Sequence, residues 1–141
     1  MKSWTLIDKA FALKTTNLFA ELDLDLLLTI ADKMGTSRFK EGEIIFPLLQ
    51  DAHRMYLIVE GTVQIQDTNE HILAHLHQGD FFGDESLFNE KPRAYSAHSL
   101  THTTLLTLSK IHLLTIISEC PSVATTLLHA YTSYIGFRPR Q

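Results

Sequence analysis

The spacing of apolar positions changes period twice along this chain. In residues 3–34, Leu24, Leu27, Ile30, Ala31 and Met34 recur at intervals of three and four, which places them on one face of a helix. Asp23 stands ahead of that stripe as an N-cap, and Gly35 follows it where a helix end accepts a left-handed residue. Ile7, Ala10 and Phe11 predict an earlier helix capped by Ser3 and broken at Asn17, with Leu18 and Phe19 packing after it. In residues 36–109 short apolar runs alternate with turn residues. They predict strands at 37–40, 43–46, 55–59, 62–67, 72–77, 95–100 and 104–108, with Asp67-Thr68-Asn69-Glu70 as a hairpin connection. In residues 110–141 the helical period returns. Ile111, Leu114 and Ile117 mark a short helix ending before Pro121; Val123, Leu127, Tyr131 and Ile135 mark a longer one ended by Gly136 and Pro139.

Short, evenly spaced strands with no long helix between them predict an antiparallel β-roll of the jelly-roll kind. The fold class is therefore mainly β with flanking helices (α+β). It is divided into an N-terminal helical segment at 1–35, a roll at 36–109 and C-terminal helices at 110–141. The tail from Arg138 to Gln141 is expected to be mobile.

Composition narrows the function. With 141 residues and 45% apolar content the chain can bury a core, so a disordered or fibrous chain is excluded. The formal net charge of -4 argues against binding nucleic acid, which needs many clustered cations. The single cysteine, Cys120, cannot form an internal disulfide or a cysteine-rich zinc site and suits a reducing cytoplasmic setting. No apolar run reaches the ~20 residues of a membrane span, and the first residues lack a signal-peptide core.

One stretch carries chemistry: residues 79–96, Gly-Asp-Phe-Phe-Gly-Asp-Glu-Ser-Leu-Phe-Asn-Glu-Lys-Pro-Arg-Ala-Tyr-Ser. Gly83 lets the backbone approach a ligand, and a helical turn over 84–88 offers unpaired N–H groups. Arg93 can pair with two phosphate oxygens at once, while Asp84 is suited to accept a hydrogen bond from a hydroxyl such as a ribose 2′-OH. Between residues 79 and 93 there are four acids and two bases, so a polyanion is repelled and a compact ligand with one phosphate charge is not.

The order Gly-Asp-Phe-Phe-Gly-Asp-Glu-Ser-Leu followed by Pro-Arg-Ala resembles the phosphate-binding cassette of the cyclic nucleotide-binding domain family, which includes the catabolite activator and protein kinase A regulatory subunits. Residues 39–46 and 55–63 resemble that family's early strand pair and central hairpin, and the likeness runs over roughly residues 15–136. It implies a β-roll with helices at both ends and a ligand, cAMP or cGMP, with no cofactor and no metal. Gly83 and Ser86 would offer backbone to the phosphate, and Arg93 would pair with it. Asp84 stands where the family has a ribose-binding glutamate. Phe82, Glu85, Ala94 and Tyr95 complete the implied ligand-binding set. Family members that prefer cGMP often carry threonine or serine at the position of Ala94, so alanine leans towards cAMP. Two features depart from the pattern: Asp84 is one methylene shorter than glutamate, and residues 47–51, Pro-Leu-Leu-Gln-Asp, replace a Gly-Asp loop. Thr125, Thr126 and His129 are candidates for a base contact.

The resemblance implies a non-catalytic, cytoplasmic signal-transduction module of the kind found in bacterial regulators. Binding would be passed through the C-terminal helices to a partner protein or an attached effector domain, with a homodimer as one arrangement. The chain ends where family transcription factors continue into a helix-turn-helix, so it is expected to be a stand-alone module or a piece of a larger regulator. Two alternatives stand beside this. One is a fold that has lost its ligand and serves as an interaction module. The other is a cupin-like metal protein, suggested by His75 and His77 on one strand face with His71, His98 and His102 nearby. The acids after His77, Asp80 and Glu85, fit that spacing poorly. No nucleophile elbow or nucleotide-hydrolase loop is present.

Overall fold

The computed structural model describes residues 3–137 and Pro139. Its elements are α1 (Leu6–Lys14), α2 (Leu24–Lys33), β1 (Gly35–Phe39), β2 (Ile44–Phe46), β3 (Arg54–Glu60), β4 (Val63–Gln66), β5 (Ile72–Leu76), β6 (Phe81–Phe82), α3 (Glu85–Asn89), β7 (Ser96–Ser99), β8 (Thr103–Ser109), α4 (Lys110–Glu119) and α5 (Pro121–Thr132). They form two compact units, residues 33–112 and residues 1–32 with 113–141, so both helical blocks of the sequence fall in one unit.

The first unit is the β-roll. Two four-stranded antiparallel sheets, in the orders β1-β8-β3-β6 and β2-β7-β4-β5, face each other across an apolar core. Strand period two explains which side chains meet there. Tyr56 and Ile58 of β3, Val63 and Ile65 of β4, Ala97 of β7 and Leu105 of β8 are all buried in one cluster, with Phe46 and Phe82. β3 is buried along five consecutive residues, Met55 to Val59, and its register against β8 pairs Met55 with Leu108 and Leu57 with Leu106. The predicted hairpin is present. Asp67 Oδ1 accepts from the N–H groups of Asn69 and His71 at 2.9 Å each, and Glu70 adopts φ 62°. Those backbone donors hold the Asp67 carboxyl below its ordinary range. The pair Phe81–Phe82, absent from the predicted strands, forms β6 against Tyr56 and Leu57.

In the helical unit Thr5, not Ser3, caps α1. Thr5 and Asp8 form a reciprocal capping box, each side chain accepting from the other's N–H at 3.1 Å. Ser3 has Leu6 three residues on and cannot form that box. Asp23 behaves as expected at α2, its Oδ1 accepting from Leu26 N–H at 3.0 Å. Gly35 does not close α2 in a left-handed turn. It opens β1 opposite Thr107. Leu18 and Phe19 are buried, as are Val123 and Leu127.

Two helix assignments need correction. In α4 the buried residues are Leu113 and Ile116, whereas Ile111 is 77% exposed. α5 ends at Thr132 rather than at Gly136: beyond Ser133 the bonds tighten to three-residue turns, Tyr134 N–H donating to Tyr131 O at 3.3 Å and Ile135 N–H to Thr132 O at 3.1 Å, so Ile135 lies beyond the helix. The tail residues Arg138, Arg140 and Gln141 lie outside the described residues. Among the described residues no single helix is long and apolar enough to cross a membrane.

Candidate functional site

The segment singled out in the sequence folds into a strand, a turn and one short helix at the end of the roll. Gly83 adopts φ 76°, a conformation that a side chain disfavours. A Cβ there would lie 2.9 Å from Arg93 Nη1 and 3.3 Å from Tyr56 Cδ2, so glycine is needed for space as well as for backbone angle. Asp84 then caps α3, with Leu87 N–H donating to its carbonyl at 3.1 Å. Glu90, at φ 58°, ends the helix, and Lys91 N–H bonds Asn89 Oδ1 at 2.9 Å.

Arg93 is the centre of the site. It is only 2% exposed. Its Nη1 donates to the carbonyl of Gly83, and its Nη2 donates to that of Arg54 at 2.5 Å. The guanidinium lies over the Phe46 ring, with Cζ 4.3 Å from the ring centre. Among the described residues its buried Nε finds no hydrogen-bond partner. Burial lowers its pKa, against the opposing influence of Tyr56, Tyr95, Glu85 and Asp84.

The 47–51 loop is bound to the same residue. Leu49 N–H donates to Arg93 O and Arg93 N–H donates to Gln50 O, both at 2.8 Å. Leu49 takes φ 67° to do so. The altered loop thus fixes the backbone that carries the arginine.

A second network crosses the cassette. Gly83 N–H donates to Tyr95 Oη at 2.7 Å, and Tyr95 Oη donates to Glu85 Oε1 at 2.7 Å. Burial is the main cause that pushes the Tyr95 hydroxyl far above its ordinary pKa, so it remains a donor. Glu85 is exposed as a residue, yet its carboxyl end lies against Tyr95. Loss of solvent there raises its pKa, and the neighbouring Asp84 charge adds to the effect.

The structure therefore brings Gly83, Asp84, Glu85, Ser86, Arg93 and Tyr95 into one small region. Asp84 and Ser86 are buried and Ala94 is exposed. Phe82, expected among the ligand contacts, belongs to the buried cluster of the roll. As the inward position of β6 it is 2% exposed and stacks on Tyr56 at 5.1 Å. Thr126 and His129 line a separate cavity of about 160 Å³ in the helical unit, with Asn17, Glu21, Ser133 and Tyr134. Sequence reasoning missed Phe46 and Tyr56, which support the arginine and the glycine. Their only signal is an aromatic residue at an inward strand position, and that is shared with ordinary core. Among the described residues no group of three or more His, Cys, Asp or Glu is arranged to hold a metal. His75 and His98 both lie opposite Gln64 in the outer sheet register.

Residues 36–120 match the cyclic nucleotide-binding domain family, and the chain belongs to that family of regulatory β-roll domains. It is 29% identical over 105 residues to a cAMP-dependent protein kinase regulatory subunit of Dictyostelium discoideum, covering 70% of this chain and 32% of the relative. It is 24% identical to a CRP-like cAMP-activated global transcriptional regulator of Mycobacterium tuberculosis, covering 82% of this chain and 54% of the relative. The chain thus spans between a third and just over half of these relatives. Among solved structures, the N-terminal domain of a transcriptional regulator from Streptomyces coelicolor A3(2) aligns with TM-score 0.79 and 29% identity, over 86% of this chain and 90% of that one.

Proposed function

We propose that this chain is a non-catalytic sensor module that binds one cyclic mononucleotide, cAMP in preference to cGMP. The observation that carries the phosphate assignment is Arg93. A buried cation whose Nη groups meet only backbone carbonyls, and whose Nε is unpartnered, is costly unless an anion joins it. A phosphodiester carries one negative charge and acceptor oxygens for the free N–H. Ser86 N–H, in the first turn of α3, lies on the same cassette and is assigned to the same phosphate. Ala94 has no hydroxyl to bond a guanine amino group, which favours adenine.

The signal route begins at the cassette helix. Glu90 ends α3, and its carboxylate lies 3.7 Å from Nζ of Lys110, the first residue of α4. A ligand that draws in α3 alters that pair and biases α4 and α5, the elements read by a partner or effector domain. Calorimetric titration with cAMP and cGMP tests the ligand. The expected result is tighter cAMP binding, weakened on the order of tenfold to a hundredfold by Arg93→Ala.

A second reading, a ligand-free interaction module, is favoured by one observation: both Nη groups of Arg93 already bond the protein's own carbonyls. Absence of binding by either nucleotide at millimolar concentration selects it.

A further inference from the structure

The Tyr95 hydroxyl sits in an arrangement made for a ligand. It accepts from Gly83 N–H and donates to Glu85 Oε1, each at 2.7 Å. A backbone donor on one side and a carboxylate acceptor on the other are the complement of an alcohol. Both belong to the cassette, at residues 83 and 85, while the hydroxyl comes from residue 95, just after the phosphate-binding arginine. The ring packs beside Phe46, with ring centres 5.7 Å apart, and carries the hydroxyl into the cassette from outside it.

We propose that Tyr95 is a tethered surrogate for the sugar hydroxyl of the nucleotide: its Oη occupies the hydroxyl subsite formed by Gly83 N–H and the Glu85 carboxylate, and a nucleotide that carries that hydroxyl must displace it. This rests on the nucleotide reading given above. It assigns the accepting carboxylate to Glu85, whose residue is exposed, rather than to Asp84, which is 8% exposed. In the unliganded protein the surrogate satisfies a donor and an acceptor that would otherwise meet only water. On binding, one hydroxyl replaces another, and the ligand's own hydroxyl gains little net affinity. The intact protein should therefore hardly distinguish cAMP from 2′-deoxy-cAMP.

Removing the Tyr95 oxygen exposes the subsite. Tyr95→Phe keeps the ring and frees both partners. Calorimetric titration of the full chain and this variant with cAMP and 2′-deoxy-cAMP is the test. The variant is expected to bind cAMP about tenfold tighter, the scale of one hydrogen bond to a charged group, and to bind the deoxy nucleotide within about twofold of the unmodified protein. Equal cAMP affinity for the two proteins, or weaker binding by the variant, overturns the surrogate role and leaves the nucleotide reading standing. No binding of either nucleotide to either protein removes the nucleotide reading and the proposal with it. A measurement on the unmodified chain needs no variant. With ¹³C-labelled tyrosine, cAMP should move the Tyr95 resonance and 2′-deoxy-cAMP should leave it in place; an equal response to both overturns the proposal.

Discussion

The Arg93 guanidinium carbon lies 4.3 Å from the centre of the Phe46 ring, although the two residues are 47 apart in sequence. Phe46 ends β2 and is 1% exposed, while Arg93 precedes β7. The ring supplies a negative face to a cation that has lost most of its water. Such a contact contributes on the order of 1–2 kcal/mol when desolvated. Phe46→Leu is therefore expected to lower stability to urea by about 2 kcal/mol, combining the lost cation–π contact with imperfect repacking. A double-mutant cycle with Arg93→Met should return a coupling of about 1 kcal/mol. Additive effects would show that the ring serves only as apolar filler.

Gly83 and Gly79 share a left-handed backbone, at φ 76° and 94°, but differ in the space around them. A Cβ on Gly79 meets nothing within 4 Å, whereas one on Gly83 presses on Arg93 Nη1. Gly79→Ala should cost about 1 kcal/mol, the backbone penalty alone. Gly83→Ala should cost at least twice that, because the arginine must also leave its carbonyl partners. Thermal melts of the two variants compare them directly, and equal losses would contradict the steric argument.

Glu85 sets a pH dependence whose sign follows from its raised pKa. Its proton is held more tightly in the folded chain than in the unfolded one. The folded state is therefore favoured by protonation, and stability is lost as pH rises from the ordinary carboxyl range through the raised value. Glu85→Gln removes the charge beside Asp84 and keeps an acceptor for Tyr95. It is expected to raise the melting temperature at pH 7, with the gain shrinking as pH falls towards 4. A gain that persists unchanged at pH 4 would mean that the charge is not its source.

The roll was legible in the sequence because its strands alternate. Val63 and Ile65 point inward between Gln64 and Gln66, and such a pattern has one solution. The cassette was legible because glycine, a short helix and arginine occur in a fixed order. The arginine's surroundings were not. Phe46, the Arg54 carbonyl and Tyr56 reach Arg93 from β2 and β3, 47, 39 and 37 residues away in sequence, and no local pattern encodes that meeting. The burial of Phe82 was not legible for a related reason: in a two-residue strand, alternation is too short to mark which position faces the core.

Helix α4 shows where periodicity fails and yields the last test. Its sequence, KIHLLTIISE, carries two apolar sets at three-residue spacing. Ile111, Leu114 and Ile117 form one; Leu113 and Ile116 form the other, one position out of phase. Each set satisfies the helical spacing on its own face, so spacing alone cannot choose between them. The structure buries Leu113 at 1% and Ile116 at 3%, and leaves Ile111 and Leu114 at 77% and 47%. Leu113→Ala should therefore cost about 2–4 kcal/mol in urea unfolding, the range for opening a cavity in a packed core. Ile111→Gln should change stability by less than about 0.5 kcal/mol, as an exposed substitution does. The reverse order would require the helix to be rotated by about 160°, the angle that separates positions 111 and 113 in the 3.6-residue repeat taken the short way round.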